Sequence, residues 1–220
     1  MTADLSLHLV TDHRVPFSRL RDLVDESVTA GASVVQLRDK VASGAELFAR
    51  TLDLADVVAG RCRFVVDDRL DVVLAAREHL RHHDRARVDG VHLGQNDLPA
   101  DAARALLGSD ALIGWTANTP AHLTAVEALP AGTVDYLGVG VIRATSTKPD
   151  HPRPLGIGGF GELAASTPLP CVAIGGIGLD DVTALRRAGA AGVAVVSVVS
   201  EADDPGEVVR RLRAAWEEQA

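Results

Sequence analysis

Aromatic residues are scarce in this chain: four Phe, two Trp and one Tyr make up 3% of its 220 residues. A core with so few large rings must be filled by branched aliphatics and alanine. The 47% apolar content, dominated by Ala, Val and Leu, suits parallel strands covered by helices. Cysteine is nearly absent as well. Cys62 and Cys171 stand far apart without C-x-x-C spacing, which speaks against a disulfide framework or zinc site, reads both as packing residues and implies a reducing cytosol. No apolar run approaches the roughly 20 residues that span a bilayer, and the amino terminus lacks a basic-then-apolar signal. The expectation is a soluble, cytoplasmic protein with no membrane partner. Positive charge is in deficit, with 22 basic against 30 acidic residues and a formal charge of −8. That balance argues against a nucleic-acid partner, because affinity for a phosphate backbone needs a basic footprint. An anionic small molecule remains compatible if local cations or a metal offset the field.

What the chain has is regularity. Short apolar runs predict strands at residues 5–10, 34–37, 64–66, 91–93, 111–115, 134–139, 171–174 and 192–196. Between and after them, helical spacing predicts helices at 17–30, 44–59, 70 to about 76, 99–107, 120–129, 158–165, 180–188 and 205–216. Gly31 and Gly60 close the first two, and Pro120 suits the first turn of the fifth. Eight strands alternating with eight helices predict an α/β fold, a TIM (β/α)8 barrel in a single domain over 1–220, where an open doubly wound sheet would use fewer strands. Two stretches break the rhythm. Residues 77–87 are rich in Arg and His, with His79, His82 and His83 reading as a solvated helix or loop more readily than as metal ligands. The loop from 140 to 154 is long and Pro-rich, as functional loops often are.

Residue types that handle phosphate or metal cluster just after the strands, on the end where barrel enzymes carry their chemistry. Asp68 and Asp97 follow strands three and four, so their carboxylates can converge across one interstrand gap of about 5 Å. Two carboxylates with room for water and a phosphate describe a magnesium site, while a plainer reading makes each a helix or turn cap. Gln36, Arg38 and Lys40 alternate along the exit of strand two and so face one way, fit to hold an anion; Asp39 and Glu46 offer surface salt bridges instead. Thr145, Thr147 and Lys148 have the same two readings, surface contacts or, in a long Pro-rich loop, a lid or clamp. Gly175-Gly176 and Val196-Ser197, after strands seven and eight, stand where barrels bind phosphate through backbone N–H groups.

Taken together, L-V-T-D, Q-L-R-D-K, V-D-D-R-L-D, H-L-G-Q-N-D, T-S-T-K-P, V-A-I-G-G-I and G-V-A-V-V-S resemble the thiamine phosphate synthase family over nearly the whole chain, from Leu9 to about Pro205. The resemblance implies a TIM barrel, a magnesium cofactor, and a transferase that joins hydroxymethylpyrimidine diphosphate to a thiazole phosphate with release of pyrophosphate. It implies a dissociative reaction, in which pyrophosphate leaves before the thiazole nitrogen attacks. By the same resemblance Gln36, Arg38 and Lys40 hold the pyrimidine diphosphate, Asp68 and Asp97 bind the metal, and Lys148 binds pyrophosphate. Thr145 and Thr147 line the gap between substrates, and Gly176, Val196 and Ser197 cradle the thiazole phosphate. Arg38, Lys148 and Thr116 stand as catalytic, with Asp67 and Thr116 also against substrate. Homo-oligomers are compatible with this reading.

The chain departs from the family pattern at several positions. Asp67 replaces Asn, Thr116 replaces Ser, Asn118 stands where His is frequent, His8 replaces Tyr, and Val141 and Ala144 replace prolines beside an added Arg143. Asp67 puts negative charge beside a diphosphate, which should weaken binding unless it takes a proton, recruits metal or pairs with Arg69 or Arg143; the expectation is that Arg143 offsets it. A thiazole tautomerase on the same barrel would dispense with the diphosphate clamp and would need an acid or base near the thiazole. A noncatalytic sensor of thiamine intermediates would bind without turnover.

Overall fold

The structure, a computed structural model, describes residues 3–145, 147 and 153–218. Eight parallel strands close on themselves in sequence order: β1 (Leu7–Val10), β2 (Val34–Leu37), β3 (Arg63–Asp67), β4 (Gly90–Leu93), β5 (Leu112–Thr116), β6 (Tyr136–Gly140), β7 (Cys171–Ile174) and β8 (Gly192–Val195). The helices are α1 (Phe17–Thr29), α2 (Gly44–Val58), α3 (Leu70–His79), α4 (Ala100–Leu107), α5 (Pro120–Glu127), α6 (Gly156–Ala165), α7 (Val182–Arg187), α8 (Ser197–Ser200) and α9 (Pro205–Glu217). The TIM-barrel expectation holds.

Local chemistry explains many of the boundaries. Ser43 and Glu46 form a reciprocal capping box at the start of α2, and Ala59 ends it in the left-handed region. Thr119 and Asp204 accept backbone N–H groups ahead of α5 and α9, each of which has proline in its first turn. Some expected boundaries are corrected. The seventh helix opens as a 3-10 turn over Leu179–Asp181, and α3 runs on to His79, because Phe48 meets the His79 ring edge-on at 5.9 Å and prolongs its packing. The four-residue α8 has no counterpart in the expected pattern; it is too short to show a period.

Strand residues alternate between two apolar compartments. One lies between barrel and helices and holds Leu9, Val35, Leu37, Phe64, Val66, Ile113 and Leu137 among many others. The other is the barrel interior, packed by Leu5, Val10, Val34, Val65, Leu112, Tyr136, Val172 and Ala194. The parallel register sets Asp67 beside His92, His92 beside Gly114, and Gly114 beside Tyr136. Glycine is required at 114, since a Cβ there would lie 2.2 Å from the Tyr136 ring. The small residue is what lets a buried Tyr and His share the centre of the barrel, with ring centroids 5.6 Å apart.

Candidate active site

A cavity of about 470 Å³ opens at the C-terminal end of the strands, and described residues from all eight strands or their following loops line it. Gln36 and Arg38 reach it from β2, Asp67 and Asp68 from β3, and His92 and Asp97 from β4 and its loop. Thr116 and Asn118 come from β5, Thr145 and Thr147 from beyond β6, Gly175 and Gly176 from β7, and Val196 and Ser197 from β8. Every described residue of the expected site lies on this one mouth. Lys148 lies outside the described residues.

Charge at the mouth is organised around β3. Asp67 accepts a hydrogen bond from Gln36 Nε2 at 2.7 Å and lies 3.3 Å from Lys40 Nζ and 3.6 Å from Arg38 Nε. Lys40 also hydrogen-bonds to Asp68. Burial pushes the Asp67 carboxyl above its usual range and the neighbouring Asp68 adds to this, with Lys40 and Arg38 pulling the other way. On Lys40 burial works against the charge, but Asp67 and Asp68 outweigh it and the ammonium is held more firmly protonated than usual. The expected compensation of Asp67 is therefore corrected. Arg143 pairs with Asp181 at 2.5 Å and Arg69 with Asp71 at 2.6 Å, while the strand-two trio surrounds Asp67. Strand pairing decides this, because residues 36 to 40 and 67 leave neighbouring strands on the same end of the barrel. The surface alternative for Arg38 and Lys40 also falls away: Asp39 pairs with Arg50, and Glu46 is occupied in the cap of α2.

Asp68 has φ +60°, an uncommon conformation for a residue with a Cβ, and it turns the chain sharply between β3 and α3. Asp97 accepts the Gly94 N–H at 2.6 Å, so the capping role is real. It is not the whole account. Burial raises the Asp97 carboxyl above its usual range, and a hydrogen bond with Asp68 raises it further. Two carboxylates pressed together at the open end of a cavity are a hard-oxygen donor pair for a cation of the magnesium type. Among the described lining residues, two cations face three carboxylates, so a polyanion would meet net repulsion unless a divalent cation entered with it.

Thr116 ends β5 with Oγ1 3.0 Å from His92 Nε2, and Tyr136 OH lies 3.1 Å from His92 Nδ1. His92 was not singled out from the sequence as a site residue; its signal is a polar residue at an inward position of G-V-H-L, a strand otherwise apolar and buried. Asn118 accepts the Gly140 N–H at 3.3 Å, while its own N–H donates to His122 Nδ1 at 3.1 Å. On the far side, Gly176 has φ +65°, and a Cβ there would meet Arg143 Cβ at 2.8 Å. Loop and glycine turn thus pack directly, which carries Thr145 to the mouth.

Fold and mouth together define a parallel-barrel enzyme that works at its strand C-termini on a charged small molecule. The chain belongs to the thiamine monophosphate synthase family, whose sequence profile matches residues 7–199. A thiamine-phosphate synthase of Azorhizobium caulinodans is 41% identical over 212 residues, covering 96% of this chain and 94% of that protein. One from Psychrobacter is 37% identical over 209 residues, covering 94% and 93%. Among solved structures, thiamine phosphate pyrophosphorylase from Pyrococcus furiosus superposes with a TM-score of 0.82 at 30% identity, covering 98% of this chain and 97% of that one.

Proposed function

We propose that this mouth joins a pyrimidine diphosphate to a thiazole phosphate, giving thiamine monophosphate and pyrophosphate. The activity is that of a thiamine-phosphate synthase, a transferase, as family membership gives it. The observation that carries the residue assignment is Lys40 bridging Asp67 and Asp68, with Arg38 beside it and Asp97 against Asp68, all from three consecutive strands and their loops.

In this reading Arg38 and Lys40 grip the diphosphate oxygens, the guanidinium bidentately and the ammonium as a point charge. Lys40 exchanges its carboxylate partners for phosphate as substrate enters. Asp68 and Asp97 would hold a magnesium ion, which when bound would supply positive charge to the leaving pyrophosphate. Gln36 donates to Asp67 and so holds the buried carboxylate against the substrate pocket. The pyrimidine methylene C–O bond breaks first, its electron pair leaving with pyrophosphate, and the thiazole nitrogen then closes the C–N bond with its own lone pair. No protein nucleophile is needed. Thr116 faces the pyrimidine, its hydroxyl oriented by His92. Thr145 and Thr147 line the gap between substrates, with Lys148 of the same loop assigned to the leaving pyrophosphate. Gly176, Val196 and Ser197 take the thiazole phosphate on backbone N–H groups. A pocket lined by Val10, Ile174 and Val196 keeps water from the electron-poor carbon.

Asn118 speaks against the tautomerase reading, since its side-chain oxygen is spent on the Gly140 N–H and an amide offers no acid or base. Incubation with both substrates, with and without magnesium, tests the assignment. Thiamine phosphate and pyrophosphate should form in equal amounts and only with the metal; binding of both substrates without product would leave a sensor.

A further inference from the structure

The Arg- and His-rich stretch 77–87 plays no part in the mouth, and the structure places it at the opposite end of the barrel, where β3, β4 and β5 begin. There it borders a second cavity of about 480 Å³. Leu80, Ala86 and Val88 are buried along it. Arg63, Arg77, Arg81 and Arg87 converge on it with His83, and Asp89 and Asp110 are the carboxylates among its lining residues. We propose that this hollow binds an oligophosphate anion, independently of the reaction at the mouth.

Charge accounting supports an anion, since four arginines face two lining carboxylates, Asp89 and Asp110. Asp89 is 4% exposed, and its Oδ1 accepts from both Arg63 Nη1 at 2.7 Å and Arg87 Nε at 3.1 Å. Its Oδ2 is taken by the Phe64 N–H at 2.8 Å. One carboxylate thus orients two guanidiniums and neutralises only one of them. Arg77 donates to the Leu107 carbonyl, a neutral partner. Arg81 meets Glu78 at 3.3 Å with both side chains more than half exposed, a pair that water screens and an incoming phosphate can displace. A neighbouring hollow shares Arg63 and Arg87, but its own Arg61 and Arg213 are paired with Asp25 and with Asp4 and Glu217, so the positive charge is centred on the first hollow. In a chain of formal charge −8, such a concentration opposite the catalytic end attracts an anion that the rest of the surface repels. Guanidiniums held in place by a buried carboxylate and a backbone carbonyl lose little freedom on gripping phosphate, and several phosphates in a row can engage several of them. The buried apolar residues beside them leave room for an organic moiety, so the phosphate chain can be free or carried by a nucleoside.

The test is calorimetric titration of the full chain with inorganic tripolyphosphate, and separately with a nucleoside triphosphate, in magnesium-free buffer. Lys40→Ala silences the mouth, and Arg81→Ala and Arg81→Ala/Arg87→Ala weaken the hollow. One equivalent should bind in a way that survives Lys40→Ala, and the double variant should weaken it by about tenfold, as expected for losing charge-assisted contacts. Arg81→Ala, at an exposed position that the fold does not need, should weaken it by a smaller factor. Synthase activity should be the same in both arginine variants. Tighter binding of the nucleoside triphosphate than of tripolyphosphate would place the organic moiety on the apolar wall; equal binding would assign the site to the phosphate chain alone. Binding that Lys40→Ala abolishes, or that neither arginine variant weakens, would overturn the proposal.

Discussion

Gln36 donates from Nε2 to Asp67 Oδ1 across 2.7 Å, tying two adjacent strands together just below the mouth. The same carboxylate holds Lys40 and sits near Arg38, so it competes with substrate for the cations meant to bind it. Asp67→Asn keeps an acceptor for Gln36 and releases Lys40 and Arg38. The KM for the pyrimidine diphosphate should fall by up to about tenfold, ~1.4 kcal/mol, with kcat preserved. A rise in KM would mean that Asp67 is needed to aim Lys40.

Asp97 has a cap to hold as well as a place beside Asp68, and two variants separate these. Asp97→Asn retains an acceptor for the Gly94 N–H, whereas Asp97→Ala removes it. If metal binding governs the rate, both should lower kcat/KM by about 100-fold or more at fixed magnesium, in keeping with the several kcal/mol a cation supplies to phosphate chemistry. High magnesium should restore part of the loss. An active Asp97→Asn enzyme would reduce the residue to a cap.

Arg143→Ala should leave diphosphate affinity unchanged, because that guanidinium is spent on Asp181 at 2.5 Å. Asp181, whose carboxyl the Arg143 hydrogen bond holds below its usual range, keeps the Gly178 N–H as a partner. Substrate titration of the variant is the direct measurement. A weakened diphosphate would restore the idea that Arg143 offsets Asp67.

Tyr136→Phe removes the hydroxyl that His92 Nδ1 meets at 3.1 Å inside the barrel. Stability should drop by about 0.5–1.5 kcal/mol in urea unfolding, the net worth of a typical intramolecular hydrogen bond. The rate should fall less than in Thr116→Val, which removes the hydroxyl at the mouth itself. The reverse order would put Tyr136 closer to the chemistry than its position under His92 implies.

His8 is fully enclosed, and burial, reinforced by His92, holds its imidazole down to about 3 against an ordinary value of 6.5. The folded chain therefore keeps His8 neutral where the unfolded chain takes up a proton. That contribution to stability is intact above pH 6.5 and is lost as pH falls from 6.5 toward 3. Relative to His8→Phe, wild-type stability should decline below pH 6.5 with a slope approaching ~1.4 kcal/mol per pH unit. Parallel stability curves for the two proteins would show that His8 titrates normally.

Much of the barrel was readable along the chain. The expected spans of β2 and β7 coincide with the structure, because their runs are bounded sharply, by Ser33 and Arg38 in one case and by Pro170 and Gly175 in the other. β1 and β6 start two residues later than expected. Leu5 and Val134 are apolar and buried yet precede the ladder, so hydropathy cannot tell them from strand. At the site, Gln36, Arg38, Lys40, Asp68 and Asp97 could be named because they follow strands at a spacing that aims them one way. His92 could not, since an inward histidine on a barrel strand looks like a packing residue until its neighbours Thr116 and Tyr136 are known.

Periodicity and position within each βα unit are local properties, so the sequence alone determined the barrel, the end on which chemistry sits and the residue types gathered there. Which charge meets which was decided only by the closed sheet. Arg69 lies close to Asp67 along the chain and Arg143 shortly precedes Thr145 of the mouth, yet they pair with Asp71 and Asp181. Strand register and the turn at Asp68, with its φ of +60°, bring β2 and β3 side chains into one plane, and ion pairs form between groups that are close in space. Registers of that kind arise from the pairing of all eight strands, which no single stretch of the chain encodes.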